Sequence, residues 1–218
     1  MSTHESVIVR KPWGFEYMAY QNDDVALWVL HIKKGHKTSL HCHPKKTTGL
    51  IVVSGTVNIN FISDSKEITA PGKQMIRRGL FHQTCALTED VIVLEIETPV
   101  DKNDLVRMND CYGRENSGYE NKEFELPKSE ECLWFDDTPI IFQMFGRTFN
   151  LEKAALNVIE SKLDTDIIVF LRGSLLKIID EKIQNVIIPG DVGFAKVVKV
   201  VASQMDGFSD DAVILTLS

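Results

Sequence analysis

Two stretches of this chain carry the same punctuation at the same spacing, and that repeat narrows the folds open to it more than any other feature. Gly49-Leu-Ile-Val-Val-Ser-Gly55-Thr-Val reads against Ile167-Ile-Val-Phe-Leu-Arg-Gly173-Ser-Leu, an aliphatic strand broken by a glycine and resumed. Placing Gly55 on Gly173 displaces the chain by 118 residues, and the same displacement places Pro71-Gly72 on Pro189-Gly190 without a gap. Each half then closes on an aliphatic run, Val91-Ile-Val-Leu-Glu-Ile and Ala212-Val-Ile-Leu-Thr-Leu. Two turn landmarks in one register, inside matching strand patterns, point to a duplicated unit.

The repeated unit reads as β structure. Val25–Ile32, Gly49–Val53, Thr56–Ile62, Met75–Arg78 and Val91–Glu97 are rich in aliphatic and β-branched residues and are bounded by turn formers. Val57-Asn58-Ile59-Asn60-Phe61 alternates apolar and polar with period two, as a strand with one buried face must. Helical periodicity is scarce: single turns are expected at most in Pro127–Glu131 and within Asp104–Tyr112. Short strands at regular spacing predict a sandwich or barrel. A chain of 218 residues accommodates two such domains. The long acidic, turn-rich connection over Thr98–Asp137 separates them, giving domains 1–120 and 121–218.

Charge limits the partners. A net charge of −7 disfavours nucleic acid and anionic membrane surfaces, so an anionic substrate needs a local basic cluster. No segment has the length and apolarity of a signal peptide or a membrane span. Cys42, Cys85, Cys111 and Cys132 form no CxxC pair, which fits reduced thiols and a cytoplasmic location.

The chemistry concentrates in Gly35-His-Lys-Thr-Ser-Leu-His41-Cys-His43-Pro-Lys-Lys-Thr-Thr48-Gly, followed by Gly79-Leu-Phe-His82. Residues two apart on a strand share a face, so His41 and His43 point to one side and Cys42 to the other. An imidazole from a strand about 40 residues later, His82, completes three nitrogen ligands for a divalent metal: zinc, iron, manganese or nickel. Three protein ligands with open positions is the catalytic arrangement. Among the remaining groups, Arg78 and Arg114 are the candidates for holding a substrate anion. Trp13 and Tyr17 read as core aromatics, Lys45, Lys46 and Arg77 as solvated charges, and His36, His4 and His31 as incidental.

In these residues the chain resembles the cupin superfamily. Its first motif is Gly, five residues, His-x-His, three or four residues, Glu, six residues, Gly. Gly35, His41, His43 and Gly55 match that spacing, while Gly72, Gly79 and His82 match the second motif loosely. The resemblance implies an all-β fold of two tandem jelly-roll (double-stranded β-helix) barrels, the second degenerate. The motif's glutamate falls on Thr48, so a three-His site without a carboxylate is expected, with Thr48 facing the ion and substrate.

A narrower resemblance covers roughly residues 10–120. Lys11-Pro-Trp-Gly-Phe-Glu-Tyr17, the block 35–57, and Asp101-Lys-Asn-Asp-Leu-Val-Arg-Met-Asn-Asp-Cys-Tyr-Gly-Arg114 are similar to type II phosphomannose isomerases and to the isomerase domain of mannose-1-phosphate guanylyltransferases. That family interconverts mannose 6-phosphate and fructose 6-phosphate with a divalent metal. Where its metal motif has Gln-x-His and then Glu-His, this chain has His41-x-His43 and then Thr48-Gly49. The resemblance implies a metal-dependent isomerase or epimerase of a sugar phosphate or nucleotide-linked sugar. Its general base is not legible; Glu16 and Glu95 qualify by residue type alone. A three-His non-haem iron dioxygenase and a non-catalytic sugar-binding cupin stand beside it, and a homodimer is expected from the superfamily. No histidine follows His82, and the displacement of 118 sets His41, His43 and His82 on Ile159, Ser161 and Val200, so the second half is expected to be structural.

Overall fold

The period-two pattern at Thr56–Asn60 becomes a strand with Val57 and Ile59 fully buried between more accessible neighbours. The computed structural model describes residues 7–114, 124–125 and 132–218. They form two compact units, 1–135 and 136–218. Residues up to Phe135 belong with the first because the Leu133 amide donates to the Tyr17 hydroxyl at 2.7 Å and the Phe135 amide to the Ala19 carbonyl at 3.2 Å. Among the described residues no helix is long and apolar enough to cross a membrane.

The first unit holds β1 (Ile8–Lys11), β2 (Gly14–Gln21), β3 (Ala26–Ile32), β4 (Leu40–Cys42), β5 (Thr47–Ser54) and β6 (Thr56–Asn60). It continues with β7 (Ser65–Thr69), β8 (Gly72–Ile76), β9 (Gln83–Ala86), β10 (Val91–Thr98), β11 (Val106–Asn109) and β12 (Phe124–Glu125). A seven-stranded sheet runs β12-β1-β2-β3-β10-β5-β8, a three-stranded sheet runs β7-β6-β9, and β11 pairs with β4. All named pairings are antiparallel. Trp28, Leu30, Leu50, Val52 and Val93 of the large sheet meet Val57 and Ile59 of the small one in a single core. Full burial of each such side chain stabilises the fold by roughly 1.5–3 kcal/mol. The helical turn expected within Asp104–Tyr112 is a strand instead, β11, because its backbone pairs with β4. Pro127–Glu131 lies outside the described residues.

The second unit comprises β13 (Ile140–Met144), β14 (Arg147–Lys153), α1 (Leu156–Ser161), β15 (Ile167–Arg172) and β16 (Leu175–Ile179). β17 (Lys182–Ile187), β18 (Val192–Phe194), α2 (Ala195–Ala202), β19 (Gly207–Phe208) and β20 (Val213–Leu217) complete it. Its sheets run β13-β14-β20-β15-β18 and β17-β16-β19, the order of β2-β3-β10-β5-β8 and β7-β6-β9 over again. Gly55 and Gly173 both occupy the left-handed region, at φ +76° and +63°. A Cβ there would lie 2.7 Å from Val91 Cγ1 in one unit and 2.6 Å from Ala212 Cα in the other, so both turns require glycine. Pro71-Gly72 and Pro189-Gly190 lead into β8 and β18, although Gly190 is left-handed at φ +93° and Gly72 is part of its strand.

The two units differ where the first carries its histidines. α1 contains Ile159 and Ser161, the counterparts of His41 and His43, and α2 contains Val200, the counterpart of His82. Ile159, Ala195, Val198 and Ala202 are buried with Ile168, Phe170 and Ile214 in one apolar core. The sequence predicts helical turns only in two other segments, and Ala195-Lys-Val-Val-Lys-Val-Val carries four β-branched valines. Packing of Ala195, Val198 and Ala202 along one helical face overrides that local preference.

Candidate metal centre

Two backbone segments bring the histidines together. The His41 amide donates to the His82 carbonyl at 3.0 Å and the His82 amide to the His41 carbonyl at 2.8 Å. Around that bridge the Thr38 amide bonds the Thr84 carbonyl and the Gly79 amide the His43 carbonyl. The three rings converge, with centroids 5.0 Å apart for His41 and His43, 4.5 Å for His41 and His82, and 5.6 Å for His43 and His82.

Backbone carbonyls fix the tautomers. Nδ1 of His41 lies 2.8 Å from the Ser39 carbonyl, Nδ1 of His43 lies 2.6 Å from the Asp104 carbonyl, and Nδ1 of His82 lies 3.1 Å from the Leu80 carbonyl. A carbonyl can only accept, so each ring carries a proton on Nδ1 and turns its Nε2 toward the common centre. Burial, followed by repulsion from His82 and His43, holds His41 well below its ordinary pKa. Burial and His43 push His82 down to about 4. Both rings are therefore neutral near pH 7, as metal ligands must be.

A carboxylate, Glu95, joins the three histidines as a fourth group that could hold a metal, where the sequence predicts three histidines alone. The ligand atoms of His41, His43, His82 and Glu95 all lie within 4.8 Å of one another, close to the span that one small cation bridges. Glu95 Oε1 lies 3.8 Å from His43 Nε2, which is buried and has no hydrogen-bond partner. A buried nitrogen without a hydrogen-bond partner, set opposite a buried carboxylate oxygen, is an arrangement that a bound cation satisfies, so the donor set fits a divalent ion. Burial alone would raise the Glu95 carboxyl; His43, Lys102 and His41 outweigh it and hold the group well below the usual carboxylate range.

Thr48 is buried on β5 and faces Glu97 of β10, with Leu50 facing Glu95 in the same ladder. It therefore points to the inner side of the barrel, yet the carboxylate of the set comes from the neighbouring strand. The argument for a dioxygenase from three neutral ligands accordingly loses its basis. In the second unit the equivalent register sets Thr216 opposite Ile168, so the Glu95 position there holds a buried hydroxyl.

The centre opens into a small cavity of about 60 Å³. Lys11, Lys46, Lys102, Arg107 and Arg114 line it with Glu16, Glu95 and Glu97. Lys46, expected as a solvated charge, is 1% exposed, and its Nζ donates to Glu97 Oε1 at 2.8 Å. Lys102 Nζ lies 3.4 Å from Glu16 and 4.0 Å from Glu97, and Lys11 Nζ lies 3.6 Å from Glu16. The result is an alternating chain of ammonium and carboxylate groups running away from Glu95. Burial by itself lowers the pKa of Lys102, but Glu16, Glu97 and Glu95 more than reverse this and raise it, so Lys102 is a fixed cation.

Of the two arginines read from sequence, Arg114 lines the cavity and is held by Asp110 through Nε at 2.7 Å and an Nη at 2.8 Å. Arg78 lies in an exposed turn and is not part of the cavity wall. Arg107 is the one the sequence reading missed. It is paired with His41 across β11 and β4, and its Nε lies 3.3 Å from Ser39 Oγ. Its alternation with the polar side of β4 becomes visible only once that pairing is known. Asp104 was missed too: besides its carbonyl on His43, its carboxylate accepts from the Lys45 and Lys46 amides, both at 2.9 Å. Trp13 and Tyr17 are buried as expected, and Trp13 also forms part of the cavity wall. His36 stacks on Tyr112, His31 stacks on Phe15, and His4 lies outside the described residues.

No protein-family model matches the chain, and no curated protein matches it. Among solved structures, it is similar to KdgF from Halomonas sp. at 14% identity and a TM-score of 0.42, over 46% of this chain and 94% of that one. A protein with a double-stranded β-helix domain from Klebsiella pneumoniae is 18% identical, with a TM-score of 0.43 over 50% of this chain and 96% of that one. An RmlC-like cupin from Shewanella frigidimarina is 19% identical, with a TM-score of 0.41 over 45% and 87%. These structural neighbours are cupin and double-stranded β-helix proteins.

Proposed function

We propose that the first unit is a metal-dependent isomerase or epimerase acting on a small anionic sugar, a sugar phosphate or nucleotide-linked sugar, as the mannose-6-phosphate isomerases resembled by residues 10–120 do. One observation carries the reading: a His41–His43–His82–Glu95 donor set opens into a cavity whose wall holds five cationic side chains against three carboxylates, in a chain whose net charge is −7. That local excess attracts an anion which the protein's overall field repels.

His41, His43, His82 and Glu95 would hold the ion, which when bound supplies Lewis acidity toward a carbonyl or hydroxyl oxygen. Arg107 and Arg114 have the fork geometry for a phosphate dianion, and each is braced by a neighbouring acceptor, Ser39 or Asp110. Trp13, Leu30 and Leu105 give the cavity an apolar wall against which a sugar ring excludes water.

The test is metal analysis of the purified protein, then assay of the loaded protein with mannose 6-phosphate and fructose 6-phosphate in D2O. Interconversion with deuterium entering the carbon beside the carbonyl is expected. Absence of both turnover and exchange across a panel of sugar phosphates and nucleotide sugars, with the metal bound, would refute the reading. Substrate-dependent oxygen uptake by the iron-loaded protein would replace it with a dioxygenase.

A further inference from the structure

Lys102 sits in the segment Asp101–Arg107, from which Lys102, Leu105 and Arg107 line the cavity. Its ammonium is held from three sides: Glu16 at 3.4 Å, Glu97 at 4.0 Å, and the Trp28 ring, whose centroid is 3.5 Å away. Trp28 is the cross-strand partner of Glu95, which sets Lys102 beside the metal-facing carboxylate. The loop that carries it is itself pinned. The Asn103 amide bonds the Asp101 carboxylate, the Asp104 amide bonds the Asp101 carbonyl, and Asp104 ties the loop to His43 and to the Lys45 and Lys46 amides.

The two lysines of this chain of charges are not equivalent. Lys46 has a side chain 1% exposed, and its Nζ is engaged with Glu97 at 2.8 Å. Both line the cavity, but the Lys102 side chain is 18% exposed to it. Burying five charges in a row is a poor route to stability, since desolvation offsets most of what pairing returns. The arrangement makes sense as a cation fixed in advance, in a site that excludes water, toward an oxygen that gains negative charge.

We propose that Lys102 is a catalytic residue which contacts the substrate oxygen next to the reacting carbon and stabilises the negative charge that develops on it, while Lys46, Glu97 and Glu16 are positioning residues that hold it in place. This rests on the isomerase reading for its substrate. On that reading the charge appears when a base takes the proton from the carbon beside the carbonyl, and it disperses when the conjugate acid of that base returns the proton to the neighbouring carbon. Lys102 keeps its own proton throughout, so its part in the reaction is electrostatic.

Lys102→Met is the informative variant, because Glu16 keeps Lys11 and Glu97 keeps Lys46, and neither carboxylate is left without a cation. In the metal-loaded full chain it should retain wild-type metal content, and its affinity for inorganic phosphate should fall only a few-fold, as expected for one charge fewer in the cavity wall. Turnover should fall about 10²–10³-fold in kcat, the range for losing one preorganised oxyanion partner. Lys102→Arg should recover part of that loss. A kcat within about threefold of wild type, or a joint loss of metal, phosphate binding and turnover, would overturn the proposal. Should the wild type turn over no sugar phosphate, the isomerase reading falls by itself, and affinity for a phosphorylated aldonohydroxamate, a planar anionic mimic, decides on Lys102. A tenfold or greater weakening in Lys102→Met at unchanged metal content supports the contact, and unchanged affinity removes it.

Discussion

The Lys46–Glu97 pair lets function be separated from stability. Lys46 is 1% exposed and Glu97 2%, and their charged atoms are 2.8 Å apart. Removing one partner of a buried pair costs about 3–5 kcal/mol, because the survivor stays charged in a medium that solvates it poorly, whereas replacing both with apolar side chains is often neutral or stabilising by about 1–4 kcal/mol. The structure predicts which single change is worse. Lys46→Met leaves Glu97 with Lys102 at 4.0 Å, so its cost should sit near the lower end, about 3 kcal/mol. Among the described residues Lys46 has no second carboxylate within 4.0 Å, so Glu97→Leu should cost about 5 kcal/mol. The double variant should lie within about 1.5 kcal/mol of wild type or above it, a coupling of several kcal/mol. Urea unfolding of metal-free protein followed by tryptophan fluorescence measures this in the right place, since Trp13, Trp28 and Trp134 all belong to the first unit. The double variant should fold and lose turnover. Near-additive losses, with the double as unstable as the singles combined, would refute the claim that the pair is retained for chemistry; so would an order reversed between the singles.

Other consequences are direct. Glu95→Ala and the His41→Ala/His43→Ala double variant should each lower bound metal to a small fraction of wild type with the far-ultraviolet circular dichroism unchanged; stoichiometric metal in either removes that donor from the set. Thr48→Glu should not tighten metal binding, since the carboxylate already comes from Glu95 and a new charge beside Glu97 costs stability; a gain in metal affinity would restore the position to the ligand set. Burial lowers His31 to about 4 from an ordinary 6.5, so the folded state binds fewer protons than the unfolded chain between those values. The stability from a neutral His31 is therefore complete above about pH 6.5 and lost as pH falls toward 4, and His31→Phe should flatten that part of the stability curve of metal-free protein; an unchanged slope excludes His31 as its source. Gly173→Ala should destabilise the second unit by about 2–4 kcal/mol, from left-handed strain plus a Cβ 2.6 Å from Ala212 Cα; protected amides of β15 and β20 exchanging at the wild-type rate would contradict it.

What the sequence settled by itself was whatever depends on local spacing. Period-two alternation, the His41-x-His43 pair and the displacement linking Gly55 to Gly173 all follow from chain geometry over a few residues, and the strand orders of the two units agree with the repeat they announced. Spacing could also name three histidines, because imidazoles two apart on a strand must share a face. Tertiary structure decided everything that depends on which strands become neighbours. Glu95 enters the ligand set because β10 lies next to β5, and Arg107 reaches His41 because β11 pairs with β4; neither adjacency leaves a mark in local sequence. Lys46 looked like a solvated charge because its partner lies on β10, 51 positions away. In the second unit, Ala195–Ala202 is helical because burying Ala195, Val198 and Ala202 against Ile168 and Phe170 outweighs the β preference of its valines. Local propensities differ by tenths of a kcal/mol per residue, while burial and charge pairing act in whole kcal/mol, so where the two conflict the packed neighbour decides.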